Sequence, residues 1–270
     1  MSKNYLDCIS PQELDRLKAQ HDAWLPETHS FLKDMGFSGF ESIADFGCGP
    51  GFTAFDLATL INSRAQVTAL DVSDYYLKHV RRRAEEEGVL NLKVIQQNAA
   101  KDLHMSGIFE AAFCRWFLAW VTSDIETVLK NIHKSLKPGG TFAAMEYLTL
   151  KSTVYSPPCA ALSNYLKAWE DFYSETGGTT EVGAMLPRII SNAGFKIIET
   201  RCVGGFAPAG HRIFNWWKRL YEEFRAKFLE KGLLKEEEIE EMNRYWENGG
   251  KNENAFIFSP ILIQIAAVKQ

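Results

Sequence analysis

Ser42-Ile43-Ala44-Asp45-Phe46 is a largely apolar run that leads directly into Gly47-Cys48-Gly49-Pro50-Gly51, and an apolar helical stretch starts at once at Phe52. A strand delivered into a glycine turn and then a helix is the first part of a βαβ unit, which commits the chain to a parallel sheet. Glycine lets the backbone turn sharply and approach a ligand with no side chain in the way. The helix that follows aims its unpaired N–H groups at whatever sits there. A turn that merely needs flexibility is the plain alternative; three glycines in five residues argue against it.

The same rhythm continues to about residue 147. Strands are expected at Ser42–Phe46, Gln66–Asp71, Leu92–Gln97, Phe109–Cys114 and Thr141–Tyr147, with helices over Phe52–Asn62, Asp74–Glu87 and Ser123–Leu136 between them. Ser73 or Asp74 caps the second helix and Gly88 ends it, while Lys137-Pro138-Gly139-Gly140 reads as a turn before the fifth strand. Upstream, Pro11–Lys33 reads as one or two helices interrupted at Pro26. Beyond residue 150, helices are expected over Ser156–Ser174, Glu181–Asn192 and most of Ile213–Trp246, where Glu236–Glu241 reads as a solvated face. Phe195–Val203 is a sixth strand, and Ala255–Val268 suits one last buried strand.

Asp71 ends the second strand, twenty residues after Gly51. An acid at that tip in a nucleotide-binding sheet accepts hydrogen bonds from both ribose hydroxyls. A dinucleotide site is expected to show G-x-G-x-x-G, but the glycines here are Gly47-x-Gly49-x-Gly51 with Asp45 in front. An acid there is poorly placed for a pyrophosphate and suits a ligand with a cationic amino group.

With these residues in view, Asp45-Phe46-Gly47-Cys48-Gly49-Pro50-Gly51 resembles the first motif of the class I S-adenosylmethionine-dependent methyltransferases of small-molecule type. Asp71, Asn98-Ala99, Cys114-Arg115-Trp116 and Leu136-Lys137-Pro138-Gly139-Gly140 fall in order at that family's later landmarks. The resemblance implies S-adenosyl-L-methionine as cofactor. It implies that Asp45 and Gly47 hold the amino-acid end, with Cys48 and Gly49 adjoining. Asp71 takes the ribose with Val72 beside it, Asn98 and the Ala99 backbone take the adenine, and Arg115 lies beneath the methionine portion. Two residues depart from the family pattern: Asn98 replaces the usual acid, keeping an acceptor but no charge, and Trp120 stands where related small-molecule enzymes often have histidine.

The expected fold is α/β: a Rossmann-like, seven-stranded, mostly parallel sheet with helices on both faces and helical insertions forming a lid. It divides into an N-terminal helical cap (1–40), a cofactor-binding core (41–150), a helical insertion (151–180) and a C-terminal completion (181–270) with a second insertion at about 211–250. At 270 residues with 46% hydrophobic content the chain can bury such a core. A net charge of −4 gives no pull toward nucleic acid or acidic membranes, and no Asn-Pro-Pro-Tyr follows the fourth strand. The five cysteines form no Cys-x-x-Cys pair, so neither a metal nor a disulfide framework is expected. With no secretory leader and no long apolar run, a cytoplasmic setting, a small-molecule substrate and no membrane partner are expected, and a homodimer is left open.

Methyl transfer needs in-line approach to a lone pair, and a base only where the acceptor must lose a proton. The sequence shows no triad. Glu146, His211, His21 and His29 are candidates for a base, and Gln20, Tyr5 and Trp24 for lid contacts, each with a structural reading beside it. The acceptor site is expected in the added helices, where Trp169, Phe172 and Tyr173 in one insertion and Phe214, Trp216, Trp217, Tyr221 and Phe224 in the other are core formers or pocket walls. A non-catalytic cofactor-binding protein and an NAD(P)-dependent oxidoreductase are the competing readings.

Overall fold

The computed structural model describes residues 11–249 and 251–270. Two helices, α1 (Pro11–Ala23) and α2 (Leu25–Asp34), meet at Trp24. Pro26 lies in the first turn of α2, where its missing N–H leaves no bond unmade. The core follows as β1 (Ser42–Phe46), α3 (Phe52–Asp56, continued by a wider helical turn to Ile61), β2 (Gln66–Asp71), α4 (Asp74–Glu87), β3 (Leu92–Gln96), β4 (Phe109–Arg115), α5 (Ile125–Ser135) and β5 (Leu136–Thr149). The second half adds β6 (Val154–Ser156), α6 (Leu162–Glu175), α7 (Leu186–Asn192), β7 (Phe195–Val203), β8 (Phe206–Pro208), α8 (Arg212–Glu230), α9 (Glu236–Gly249), β9 (Phe256–Phe258) and β10 (Ile261–Lys269). Ser73 caps α4 by accepting the Tyr76 N–H at 3.3 Å, and Gly88 ends it in a left-handed conformation, as expected.

The main sheet has seven strands in the order β3-β2-β1-β4-β5-β10-β7, antiparallel only where β10 lies between β5 and β7. The order runs outward from β1 to β3 and then returns to β4 on the other side of β1. Right-handed crossovers therefore send α3 and α4 to one face and α5 to the other. The reversal opens a crevice at the carboxyl ends of β1 and β4, where ligands bind in such sheets. The inner strands β1, β2 and β4 are buried almost throughout and read as continuous apolar runs. The edge strands β3 and β7 are more open, with Lys93 and Lys196 exposed, where charge discourages pairing with another chain.

Four expectations need correction. Lys137-Pro138-Gly139-Gly140 is not a turn ahead of β5 but a bulge within it: Leu136 already pairs with Phe109, Thr141 pairs with Ala111, and the residues between loop out at Gly139 (φ 74°). The helix expected from Ser156 starts at Leu162, because Val154–Ser156 pairs with β9. Ile213–Trp246 is largely helical as expected, in two helices separated around Gly232 (φ 68°). Within α9 the acidic run is not wholly solvated, since Glu241 Oε1 accepts the N–H groups of Ala160 (2.7 Å) and Ala161 (3.3 Å). Finally, Ala255–Val268 splits at Ser259-Pro260: β9 joins β6 and β8 in a small antiparallel sheet, and only β10 enters the main one. Local apolarity could not foretell that division, since both pieces are apolar and β-rich.

Gly51 marks the tightest approach of the glycine loop to α4. Its φ is +81°, and a Cβ there would lie 2.7 Å from Val80 Cγ2. Gly51→Ala is expected to cost about 2–4 kcal/mol in urea unfolding, combining left-handed strain with overpacking. Adding Val80→Ala should restore only the steric part, because the backbone strain stays; full recovery would show that strain is negligible.

Candidate active site

The loop after β1 is held to β2 by backbone bonds. The N–H groups of Gly47 and Cys48 both donate to the Leu70 carbonyl, at 2.8 and 3.0 Å. Asp71 completes the tie, its Oδ2 accepting the Gly49 N–H at 2.9 Å and its Oδ1 the Ser73 N–H at 2.8 Å. Gly47 needs to be glycine: φ is +67°, and the Phe117 ring occupies the space of a side chain, with Cδ2 2.2 Å from where a Cβ would stand. Beside Gly49, by contrast, nothing lies within 4 Å of an added Cβ.

Two cavities meet at Gly47. One runs past the ends of β2 and β3 and is lined by Asp71, Val72, Asn98, Ala99, Phe117 and Val128. Asn98 Oδ1 accepts the Ala100 N–H at 2.9 Å, and Asn131 Nδ2 donates to the Ala99 carbonyl at 2.8 Å, which fixes the loop that floors this cavity. The other lies under α1, beginning at Asp45, Gly47, Cys48, Gly49 and Arg115 and extending between aromatic rings. The sequence-predicted cofactor residues thus line two cavities that share Gly47.

Charge is concentrated where the second cavity begins. Asp45 is buried, and Oδ2 has no hydrogen-bond partner. Burial pushes its carboxyl up to about 7, although the nearby Arg115 charge pulls the other way. Arg115 donates to Thr28 Oγ1 (2.7 Å) and to His21 Nδ1 (2.9 Å). Because a guanidinium only donates, Nδ1 accepts and the His21 proton sits on Nε2, which faces Asp56 Oδ2 at 3.2 Å. His29 Nε2 approaches the same oxygen at 2.7 Å. Burial holds His21 below its ordinary value despite the bond to Asp56, with Arg115 adding to the effect. For Asp56, burial alone would raise the carboxyl, but the bonds to the two histidines outweigh it and hold it low.

None of the proposed bases is placed as one. His211 caps α8, its Nδ1 accepting the Ile213 N–H at 3.3 Å, and it does not line the cavity. His29 also lies off the cavity, and His21 lines it with both nitrogens engaged. Glu146 is fully buried and lines neither cavity. Its Oε1 accepts the N–H groups of Phe117 and Leu118, both at 2.8 Å. These follow Trp116, an aromatic residue at φ 50° whose side chain forms part of the cavity wall. Glu146 therefore braces a strained turn at the end of β4. Burial pushes its carboxyl up to about 7, against the pull of those backbone bonds.

Of the lid candidates, Gln20 lines the cavity, while Trp24 is wholly buried edge-on to Trp116 and Trp216; Tyr5 lies outside the described residues. Of the insertion aromatics, Trp169, Tyr173, Trp217 and Phe224 line the cavity, whereas Phe172, Phe214, Trp216 and Tyr221 are core. Trp120, at the family's histidine position, also lines it and stacks on Tyr173 with centroids 4.0 Å apart. Sequence reasoning missed Arg16, Trp116 and Tyr147 as lining residues. For Arg16 a signal existed, since it lies one helical turn before Gln20 on the same face.

Residues 43–140 match the family model described as a methyltransferase domain. The chain is 35% identical over 211 residues to a demethylmenaquinone methyltransferase of Lactococcus lactis, spanning 71% of this chain and 79% of that protein. It is 30% identical over 122 residues to a sterol 24-C-methyltransferase of Aspergillus fumigatus, spanning 44% and 31%. Among solved structures, a methyltransferase of Bacillus halodurans superposes with TM-score 0.59 at 17% identity, covering 89% of this chain and 97% of that one. A phosphoethanolamine N-methyltransferase of Haemonchus contortus, in complex with S-adenosylhomocysteine, superposes with TM-score 0.57 at 18% identity, covering 90% and 53%. The chain belongs to the class I S-adenosylmethionine-dependent methyltransferases. It is an enzyme, and its cofactor is S-adenosylmethionine. The residues present fit that cofactor: an unpartnered buried carboxylate oxygen at Asp45 suits an ammonium group, and the open side of Gly49 leaves room for a ligand against the backbone. No helix among the described residues is long and apolar enough to cross a membrane.

Asp45 and Glu146 both hold their proton more tightly in the folded chain than their ordinary values of 3.8 and 4.5 allow. The stability these two groups contribute is therefore fully present below about pH 4 and is lost as pH rises through about 7, each contributing on the order of 3–4 kcal/mol across that window, against the opposite trend of Asp56 at low pH. Urea titrations of the ligand-free protein between pH 5 and 8 should show this slope, and Glu146→Gln should remove about half of it. An unchanged slope would mean that Glu146 is ionised throughout.

Proposed function

We propose that the enzyme methylates a ring carbon of a small, planar, oxygen-bearing acceptor of the hydroquinone class. The observation that carries this reading is the second cavity: it starts at the donor loop and continues between the rings of Trp116, Trp120, Trp169, Tyr173 and Phe224. Flat apolar walls of this kind bury a flat ring well, and α1 roofs them. The 35% identical relative is named for a quinone acceptor, and the sterol relative for methylation at carbon.

When bound, S-adenosylmethionine supplies an electrophilic methyl group on a sulfonium. The chain's own residues hold and orient. Asp45 takes the ammonium of the amino-acid end beside Gly47, Cys48 and Gly49, and Arg115 lies next to the methionine portion. Asp71 takes the ribose hydroxyls beside Val72; Asn98 and the Ala99 backbone take the adenine. An electron-rich ring carbon attacks with its own π electrons and loses its proton afterwards, so the step needs close approach more than a strong base. That requirement agrees with a cavity whose one histidine already has both nitrogens engaged.

The test is methyl transfer from labelled S-adenosylmethionine to a reduced 1,4-naphthoquinone bearing a free ring carbon next to an oxygen, with the product identified by mass spectrometry and NMR. A new carbon–methyl bond is expected. Transfer confined to amines or to hydroxyl oxygens would overturn the reading.

Calorimetry with S-adenosylhomocysteine tests the donor residues separately. Asp71→Ala should weaken binding by roughly 1.5–3 kcal/mol, the usual worth of hydrogen bonds to a charged group. Because Asp45 must give up its proton to meet an ammonium, wild-type affinity should rise by about tenfold or a little more from pH 5.5 to 7 and level off above it. Asp45→Asn should bind more weakly and lose that dependence; a pH-dependent Asn variant would assign the effect elsewhere.

A further inference from the structure

One side of the acceptor cavity is not aromatic. Arg16 and Gln20, one turn apart on α1, line it, and Arg16 is almost wholly buried at 9% exposure. Its guanidinium is held from behind. Nε and Nη2 donate to the two carboxylate oxygens of Glu13 at 2.7 and 2.6 Å, and Nη1 donates to Gln20 Oε1 at 2.7 Å. Glu13 is itself 2% exposed and does not line the cavity. The carboxylate thus braces the guanidinium, and Arg16 is the member of the pair that lines the cavity. The guanidinium carbon lies 5.6 Å from the centroid of the Phe224 ring, at the edge of the aromatic wall.

A buried ion pair is costly to desolvate and adds little stability over an apolar replacement of the same shape. Its position beside the aromatic wall of the cavity gives it another use. The fork geometry of a guanidinium suits oxygen acceptors, and a fixed cation repels ammonium groups. We propose that Arg16, oriented by Glu13 and Gln20, is the specificity-determining residue of the acceptor site: it donates to a hydroxyl or oxyanion oxygen on the acceptor ring and disfavours cationic amines. This rests on the hydroquinone-class reading above and names the group that recognises the oxygen.

Binding can be read without turnover, because tryptophans that line the cavity report ring ligands by fluorescence quenching. The probes are 2-hydroxy-1,4-naphthoquinone, which is anionic at neutral pH, naphthalene, and 1-(aminomethyl)naphthalene, all added to protein saturated with S-adenosylhomocysteine. The wild type should bind the hydroxylated probe at least tenfold more tightly than naphthalene, and the amine most weakly. Arg16→Met alone strands a buried carboxylate, so the variant is Glu13→Gln with Arg16→Met, which removes both charges. It should lose the tenfold preference while keeping its affinity for naphthalene and for S-adenosylhomocysteine. An unchanged preference in the double variant overturns the proposal. If the double variant does not fold, wild-type protein that binds naphthalene as tightly as the hydroxylated probe overturns it equally. The two readings fail separately. Carbon methylation of the naphthohydroquinone with an unchanged acceptor KM in the double variant rejects Arg16 alone; an Arg16-dependent preference without carbon methylation rejects the reaction assignment alone.

Discussion

The tie between the Gly47–Gly49 backbone and the end of β2 is what the rest of the site depends on. Two N–H groups on the Leu70 carbonyl and one on Asp71 fix a loop that would otherwise be mobile. Phe117 then closes over Gly47 from the end of β4, so the strands on either side of the topological reversal share one packed contact. A side chain at Gly47 would push Phe117 away and separate the two cavities' common wall. The crevice is therefore a consequence of sheet order made rigid by a missing Cβ.

From that contact, the structure extends in two directions with different chemistry. Toward β2 and β3 the cavity is lined mainly by aliphatic side chains and Phe117, with Asp71, Gln97 and Asn98 as its polar members and its loop fixed by Asn98 and Asn131. Toward α1 and the inserted helices it is lined by large aromatic rings with a small number of buried charges. Glu146 links the two parts mechanically. By accepting two successive N–H groups it holds the turn that carries Trp116 into one cavity wall and Phe117 onto Gly47. A left-handed tryptophan costs roughly 1–2 kcal/mol and persists only where its neighbours demand it. A residue that reads as a candidate base is, in three dimensions, a brace.

The network of Arg115, His21, Asp56 and His29 shows a related economy. It binds α1, α2 and α3 together and at the same time keeps His21 neutral and fully engaged beside the donor loop. The Glu146 brace and this network thus both use charge to position structure.

The glycine loop, the acid at Asp71, the cap at Ser73 and the parallel core were legible in the sequence because each is local: a turn, a strand tip or a periodic run of a dozen residues carries its own signal. The same holds for the cofactor, because the residues expected to hold it cluster on consecutive loops of the sheet. Long-range pairing was not legible. Nothing in Ala255–Val268 tells its first part to join a second sheet, because strand propensity does not specify a partner. Nor could periodicity separate Trp169 and Phe224, which line the cavity, from Phe172 and Tyr221, which are core; all sit on buried helix faces and differ only in what faces them. The sequence by itself determined the donor and the sheet that presents it. Only the tertiary structure decided the shape and polarity of the acceptor cavity, because its walls come from helices distant in the chain and acquire a common surface only when packed.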